Sequence, residues 1–173
     1  MVDSITVRDA EIADLPAILA IHNDAIRHTT AIWDDDEVDL ADRLAWFDER
    51  RGDAFPILVV ETPTGVSGYA SYGRWRSRSG YRNTVENSVY VDADHRGKGF
   101  ARLLMTELMI RAEAGGVHAM VAGIESGNTV SIALHEQFGF TVVARMPEVG
   151  YKFGRWLDLT YMQRIFRRDE KSE

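Results

Sequence analysis

The chain has 173 residues, 45% of them hydrophobic and 27% charged, with a formal net charge of −7. That length fits one domain with a sizeable core, and the acidic balance argues against a general nucleic-acid binder, which needs a basic surface. Cysteine is absent, which excludes disulfides, a thiol nucleophile and thiolate metal sites.

Ile5 to Arg8 alternates and predicts a short first strand. Asp14 stands where it would cap a helix that carries Pro16 in its first turn, with Leu15, Ile18, Leu19, His22 and Ile26 on one line. His22 reads there as a packed or hydrogen-bonded histidine. Thr29 to Trp33 has no periodicity, and Asp39 opens a second helix to about Arg51, with Leu40, Leu44 and Phe47 sharing a face. Pro56 to Glu61 is β-branched, Pro63-Thr64-Gly65 is a hairpin turn, and Val66 to Tyr72 is the return strand. Residues 73–82, G-R-W-R-S-R-S-G-Y-R, put four arginines among two aromatics. The segment is too polar for core, so it is either a functional loop or broken helix beside a site, or a solvated surface loop.

Thr84 to Val91 is the next strand, followed by a helix with Phe100, Leu103, Leu104, Leu108 and Ala112 on a stripe that Gly115-Gly116 ends. Val117 to Ile124 is almost continuously apolar, as a central strand would be. Asn128 or Ser126 starts a helix bearing Ser131, Leu134, His135 and Phe138, and Gly139 ends it. Phe140 to Arg145 and Trp156 to Ile165 are the last strands, joined by a connection over 146–155. The order β-α-α-β-β-β-α-β-α-β-β predicts an α/β fold: a mixed sheet with helices on its faces. A single domain is expected over residues 1–166, with a frayed tail over 167–173. The first residues hold no signal-peptide pattern, and no apolar run nears the ~20 residues that span a bilayer. A cytoplasmic location without a membrane partner is the expectation.

The organising stretch is Glu86 to Arg102, E-N-S-V-Y-V-D-A-D-H-R-G-K-G-F-A-R. A strand ends in a polar break, and two glycines then open a helix beside Arg96, Lys98 and Arg102. A helix start offers unpaired N–H groups and a partial positive charge, so this one reads as a pyrophosphate site. It is not a P-loop, because Gly97-Lys98 is followed by Gly99 and residue 92 is aspartate. Nor is it a dinucleotide fingerprint, whose third glycine is replaced by Arg102. His135-Glu136 lacks the second histidine of a zincin, Gly139 standing there, and no metal is expected.

The pattern that fits is R-x-x-G-x-A, Arg96 to Ala101, between a strand and a helix. Followed by a second strand, Asn128-x-x-Ser131 and H-E-Q-F-G-F at 135–140, it resembles the GCN5-related N-acetyltransferase superfamily. T-A-I-W at 30–33, R-W-R at 74–76, T-V-E at 84–86, S-V-Y-V at 88–91 and K-F-G-R-W-L-D-L-T at 152–160 look like its phosphinothricin and methionine sulfoximine N-acetyltransferase group. The resemblance implies acetyl-CoA as donor and the α-amine of a small amino acid as acceptor. A peptide or other amine as acceptor, or a non-catalytic acyl-CoA sensor, are the rival readings.

By that resemblance, Glu86 is the general base or a water-organising residue, the alternative being a strand-end carboxylate paired with Arg82, and the N–H groups of Val89 and Val91, around Tyr90, polarise the thioester carbonyl. Arg96, Gly97, Lys98, Gly99, Phe100, Ala101 and Arg102 hold the pyrophosphate, and Asn128 the pantetheine arm or the helix cap. His135 stands where the superfamily often has a tyrosine that protonates the departing thiolate; a packed histidine is the alternative. Arg76 would bind the acceptor's anionic groups, beside Ser77 and Arg78, with Trp33 and Tyr81 as walls. Arg74, Arg78 and Asn87 depart from the group's usual residues. The aromatic C-terminal strands are expected either to pair across a homodimer or to belong to the core.

Overall fold

The computed structural model describes residues 5–166. Their strands are β1 (Thr6–Asp9), β2 (Ile57–Thr62), β3 (Gly65–Arg74), β4 (Thr84–Val91), β5 (Ala119–Glu125), β6 (Thr141–Lys152) and β7 (Arg155–Ile165). The helices are α1 (Leu15–His28), α2 (Leu40–Gly52), α3 (Phe100–Ala114) and α4 (Thr129–Gln137). All seven strands join one sheet in the order β1-β2-β3-β4-β5-β7-β6, and only β4 and β5 run parallel. The mixed sheet expected from the element order is therefore what forms.

Alternation along the strands explains the two-sided core. Ile57, Val59 and Tyr69 pack with Leu15, Ile18 and Phe47 of α1 and α2. Leu58, Val60, Ala70 and Val85 pack on the other face with Phe100, Leu104, Met105 and Leu108 of α3. A strand covered on both faces reads as a continuous apolar run, which is why Ile57 to Val60 does not alternate. Among the described residues no helix is long and apolar enough to cross a membrane.

Several expectations need correction. Asp14 does not cap α1: it closes a short 3-10 turn over Ile12–Asp14, and its carboxylate accepts from Arg8 at 2.7 and 2.9 Å and from the Glu11 N–H at 2.8 Å. The guanidinium fork offers a charge-assisted pair that an exposed helix end cannot match. Asp39 does cap α2, accepting from the Asp42 N–H at 2.9 Å. On that helix Phe47 is buried, but Leu40 and Leu44 are exposed, and Arg43 takes the inner position. On α3, Leu103 is exposed while Met105 and Met109 fill the inner face. Residues 146–152 are not a connection: β6 continues through them to Lys152, with a register shift between Met146 and Gly150. The turn shrinks to Phe153 and Gly154, both at positive φ. The 167–173 tail lies outside the described residues.

Candidate active site

β4 and β5 pair only at Thr84–Ala119, Val85–Met120 and Glu86–Val121. Beyond that point β4 stays with β3 as far as Val91, and β5 stays with β7 as far as Glu125. The sheet therefore opens between its central strands. The Asp92 N–H donates to the Ser67 carbonyl on the β3 side. Backbone direction alternates along a strand, so the N–H groups of Val89 and Val91 face the opening.

Two cavities, of about 240 and 270 Å³, meet there and share Ala31, Asn87, Ser88, Tyr90 and Gly123. Val89, Val91, Arg96, Ala101, Asn128 and His135 line the first. The second is lined by Glu86, Ile32, Arg50, Gly73 and Arg74. A larger cavity of about 410 Å³, between the end of α2 and Arg111 of α3, contains none of the candidate site residues.

The first cavity ends at the start of α3. Gly97 and Gly99 have φ of 76° and 85°, a left-handed backbone that suits glycine. Gly99 is the N-cap and brings no side-chain acceptor, so the donors of the first turn stay open to a ligand. Arg102 is different: its N–H donates to the Gly99 carbonyl at 3.1 Å. Phe100 contributes backbone only, since its ring is core. Arg96 donates from Nε to the Val91 carbonyl and from Nη2 to Asp24, each at 3.2 Å, while Lys98 is exposed. Asn128 is the α4 cap, Oδ1 accepting from the Ser131 N–H at 3.1 Å.

His135 is buried, with both ring nitrogens engaged. Nδ1 lies 2.8 Å from the Ser131 carbonyl, which can only accept, so Nδ1 carries the proton. Nε2 then accepts from Asn87 Nδ2 at 2.9 Å. Burial pushes the ring's pKa down, opposed by the Ser131 contact. The expected role as acid to a departing thiolate does not suit this geometry, because the ring is a neutral, doubly bonded group. Asn87 Oδ1 is left buried without a partner beside the cavities.

Glu86 is half-buried on the second cavity, and burial raises its pKa while the charge of Arg76 lowers it. Arg82, a conceivable partner, donates instead to the Ser79 carbonyl at 3.2 Å. A Cβ at Gly123 would stand 3.1 Å from Glu86 Oε1, so the glycine keeps space for the carboxylate.

The residues expected around the acceptor are less converged. The 73–82 segment is the end of β3, then a bend and a 3-10 turn over Ser79–Tyr81. Arg76 sits over Trp75, 4.9 Å from the ring centroid, and Tyr81 meets the same ring edge-on. Arg76, Ser77, Arg78 and Tyr81 are exposed and line neither cavity. Trp33 donates from Nε1 to the Thr30 carbonyl at 2.8 Å and packs against Gly150, which holds the loop presenting Ala31 and Ile32. Sequence reasoning missed Arg50, Gly73, Gly123 and Lys152. The signal for Gly73 was available: a lone glycine in a strand marks a close approach.

The family model for the acetyltransferase (GNAT) family matches residues 18–140. The chain belongs to the GNAT acetyltransferase family. The L-methionine sulfoximine/L-methionine sulfone acetyltransferase of Pseudomonas aeruginosa is 58% identical to it, over 92% of this chain and 94% of that one. The L-amino acid N-acyltransferase MnaT of Escherichia coli is 52% identical, over 97% and 96%. An acetyltransferase from Salmonella typhimurium, solved with its cofactor acetyl-CoA, superposes with a TM-score of 0.94 at 51% identity, covering 99% of each chain.

Acetyl-CoA is the donor of GNAT acetyltransferases, and the first cavity fits it. Unpaired N–H groups at Val89 and Val91, the orphaned Asn87 Oδ1 and an uncapped helix start are the partners that an acyl oxygen, an amide N–H and a pyrophosphate need. Among the described residues no group of three His, Asp or Glu side chains could hold a metal ion.

Proposed function

We propose that the chain acetylates the α-amine of a small amino acid or analogue, of the methionine sulfoximine, methionine sulfone or phosphinothricin kind, by direct transfer with both substrates bound. The supporting observation is the opening between β4 and β5, which joins a cavity bearing Glu86 to one bearing the Val89 and Val91 N–H groups. The names carried by the Pseudomonas and Escherichia relatives support the same acceptor class.

Acetyl-CoA supplies an acetyl group activated as a thioester. Arg96 and the N–H groups of Gly97 to Ala101 hold its pyrophosphate, and the Asn128 side chain lies along its pantetheine arm. The Val89 and Val91 N–H groups donate to the acyl oxygen, where negative charge builds as the amine attacks. They are already oriented by the β3–β4 ladder, so no reorganisation is needed at that moment. Glu86 takes the ammonium proton, because only the neutral amine is a nucleophile. As the tetrahedral intermediate collapses the C–S bond breaks, and the departing CoA thiolate takes the second proton that the nitrogen sheds on becoming an amide. A pKa raised by burial makes it a stronger base than an exposed glutamate. Asn87, oriented by His135, offers Oδ1 as an acceptor between the two substrates.

The same reading has the protein acting in the cytoplasm without metal, nucleic acid or membrane. It pairs as a homodimer through the exposed side chains of Val143, Val149, Tyr151, Phe153 and Trp156. The deciding experiment is a thiol-release assay with acetyl-CoA and a panel of amino acids, their analogues and peptide amines. Turnover with small amino acids is expected; no release with any amine would overturn the reading.

A further inference from the structure

The cavity of about 410 Å³ shares no lining residue with the two that meet at the β4–β5 opening. It is of a size that holds a small molecule. Buried Phe47 and Ile57 form its apolar wall with Phe55, whose ring meets that of Tyr72 edge-on at 5.4 Å. Both α2 and α3 present their C-terminal ends to it, and the carbonyls of those ends are already taken up. Glu49, Arg50 and Arg51 accept from the N–H groups of Asp53, Phe55 and Ala54. Arg111, Ala112 and Glu113 accept from those of Gly115, Val117 and Gly116.

Two donors on the wall are not taken up. Tyr72 is 3% exposed, yet its phenol has no hydrogen-bond partner among the described residues. The hydroxyl lies at the end of the cavity formed by Arg111 and Gly115, where a Cβ at Gly115 would stand 3.3 Å from it. Gly115 has a φ of −75°, which any residue adopts, so the backbone does not demand a glycine there. Its missing side chain keeps the hydroxyl uncovered. Burial raises the phenol's pKa while the charge of Arg111 lowers it, and the hydroxyl stays a donor at neutral pH. Arg51 is the second donor. Its guanidinium lies over the Phe47 ring, 5.6 Å from the centroid, and joins no ion pair among the described residues. Arg111, by contrast, is held by Asp9 at 3.0 and 3.3 Å and by Glu107 at 2.7 Å.

We infer that this cavity is a second ligand site, for a small monocarboxylic acid with an apolar ring, in which Arg51 and the Tyr72 hydroxyl supply the donors and Phe47 and Phe55 the wall for the ring. Both unmet groups donate, so the ligand must accept, and a guanidinium fork matches a carboxylate with two parallel hydrogen bonds. With Asp9 paired to Arg111, the charge of Arg51 is the one left uncompensated on the wall. It stands on a chain whose net charge is −7. A phosphate dianion is disfavoured, because the two helix ends facing the cavity carry partial negative charge. The site lies apart from the acetyl-transfer machinery and does not depend on the acceptor assigned above.

The test titrates phenylacetate into the wild-type protein saturated with CoA, with phenylacetamide as the uncharged counterpart and phenyl phosphate as the dianion. Phenylacetate is expected to bind at one site with a Kd of about 1 mM or tighter, the scale for so small a ligand, and more tightly than either comparison compound. Arg51→Gln should weaken phenylacetate about fivefold or more, as loss of a charge-assisted contact requires, and leave phenylacetamide unchanged. Tyr72→Phe removes only the hydroxyl and should weaken both compounds. Thermal melting checks that the variants fold, and the KM for acetyl-CoA should stay at the wild-type value in each. No binding, equal affinity for acid and amide, or affinities that neither variant changes overturn the inference. Displacement of phenylacetate by L-methionine sulfone overturns it as well, since that places the probe at the β4–β5 opening.

Discussion

Asn87 and His135 are locked together: the ring's Nε2 accepts from the amide Nδ2 at 2.9 Å, while Nδ1 donates to the Ser131 carbonyl. The imidazole is thereby held neutral, with its single proton already in use. Its work is to orient Asn87, whose Oδ1 remains free beside the cavities. His135→Gln is expected to lower stability by about 1–3 kcal/mol, the range for breaking a buried hydrogen-bonded pair, in urea unfolding. The shape of the kcat–pH profile should be retained. Loss of its basic limb in the variant would reinstate the histidine as an acid.

As the proposed base, Glu86 would act only when ionised, and burial raises its pKa. Its carboxylate therefore protonates at a higher pH than an exposed glutamate, near 4.3, and kcat should begin to fall on the acid side above that range. Glu86→Gln should remove this limb and lower turnover at least about tenfold, with acetyl-CoA affinity unchanged. The sign for stability is opposite: an ionised carboxylate with a raised pKa destabilises the fold at neutral pH, so the variant should melt at a higher temperature. Unchanged turnover would remove Glu86 from the chemistry.

Lys152 is 2% exposed at the end of β6, and its ammonium donates to the carbonyls of Ile26, Thr29 and Ile32 at 2.6, 3.0 and 2.5 Å. A cation at the C-terminal end of α1 meets the carbonyls that the helix leaves unpaired. The same three bonds fix the loop carrying Ala31 and Ile32 on the second cavity. Lys152→Met should cost about 2–4 kcal/mol, the range for charged buried hydrogen bonds. It should also raise the acceptor's KM more than that of acetyl-CoA. Equal effects on both, or neither, would uncouple the loop from acceptor binding.

Val143, Val149, Tyr151, Phe153 and Trp156 leave an apolar surface around β6 and β7, Trp156 being 59% exposed. Patches of this kind on soluble proteins mark interfaces. Sedimentation of the wild-type protein should give the mass of two chains, and Trp156→Glu should shift it towards one. A wild-type monomer at micromolar concentration would overturn the homodimer.

The corrections share a cause. Asp14 has the right residue type for a cap, but whether its carboxylate turns to the helix or to Arg8 depends on β1 lying alongside. Residues 146–152 contain Pro147 and Gly150, local signs of a loop, yet pairing with β7 draws them into a strand. His135 falls at the expected position, but its Nε2 is taken up by Asn87, which lies 48 residues away in the chain. Arg50 gave no signal, being one of two arginines at the end of an ordinary amphipathic helix.

What the sequence by itself determined is the element order, the strand–glycine–helix junction from Val89 to Ala101 and, through the motifs around it, the family. Those features are local, because hydrophobic periodicity, glycine's backbone freedom and orphan N–H groups act over a few residues. Only the tertiary structure decided that β4 and β5 part after Glu86, which leaves the Val89 and Val91 N–H groups facing an opening where two cavities meet. It alone brought the Arg50 guanidinium over Gly73 and left its Nε buried without a partner. Strand separation and a buried donor without a partner are properties of contacts between distant segments, and no stretch of the chain carries them alone.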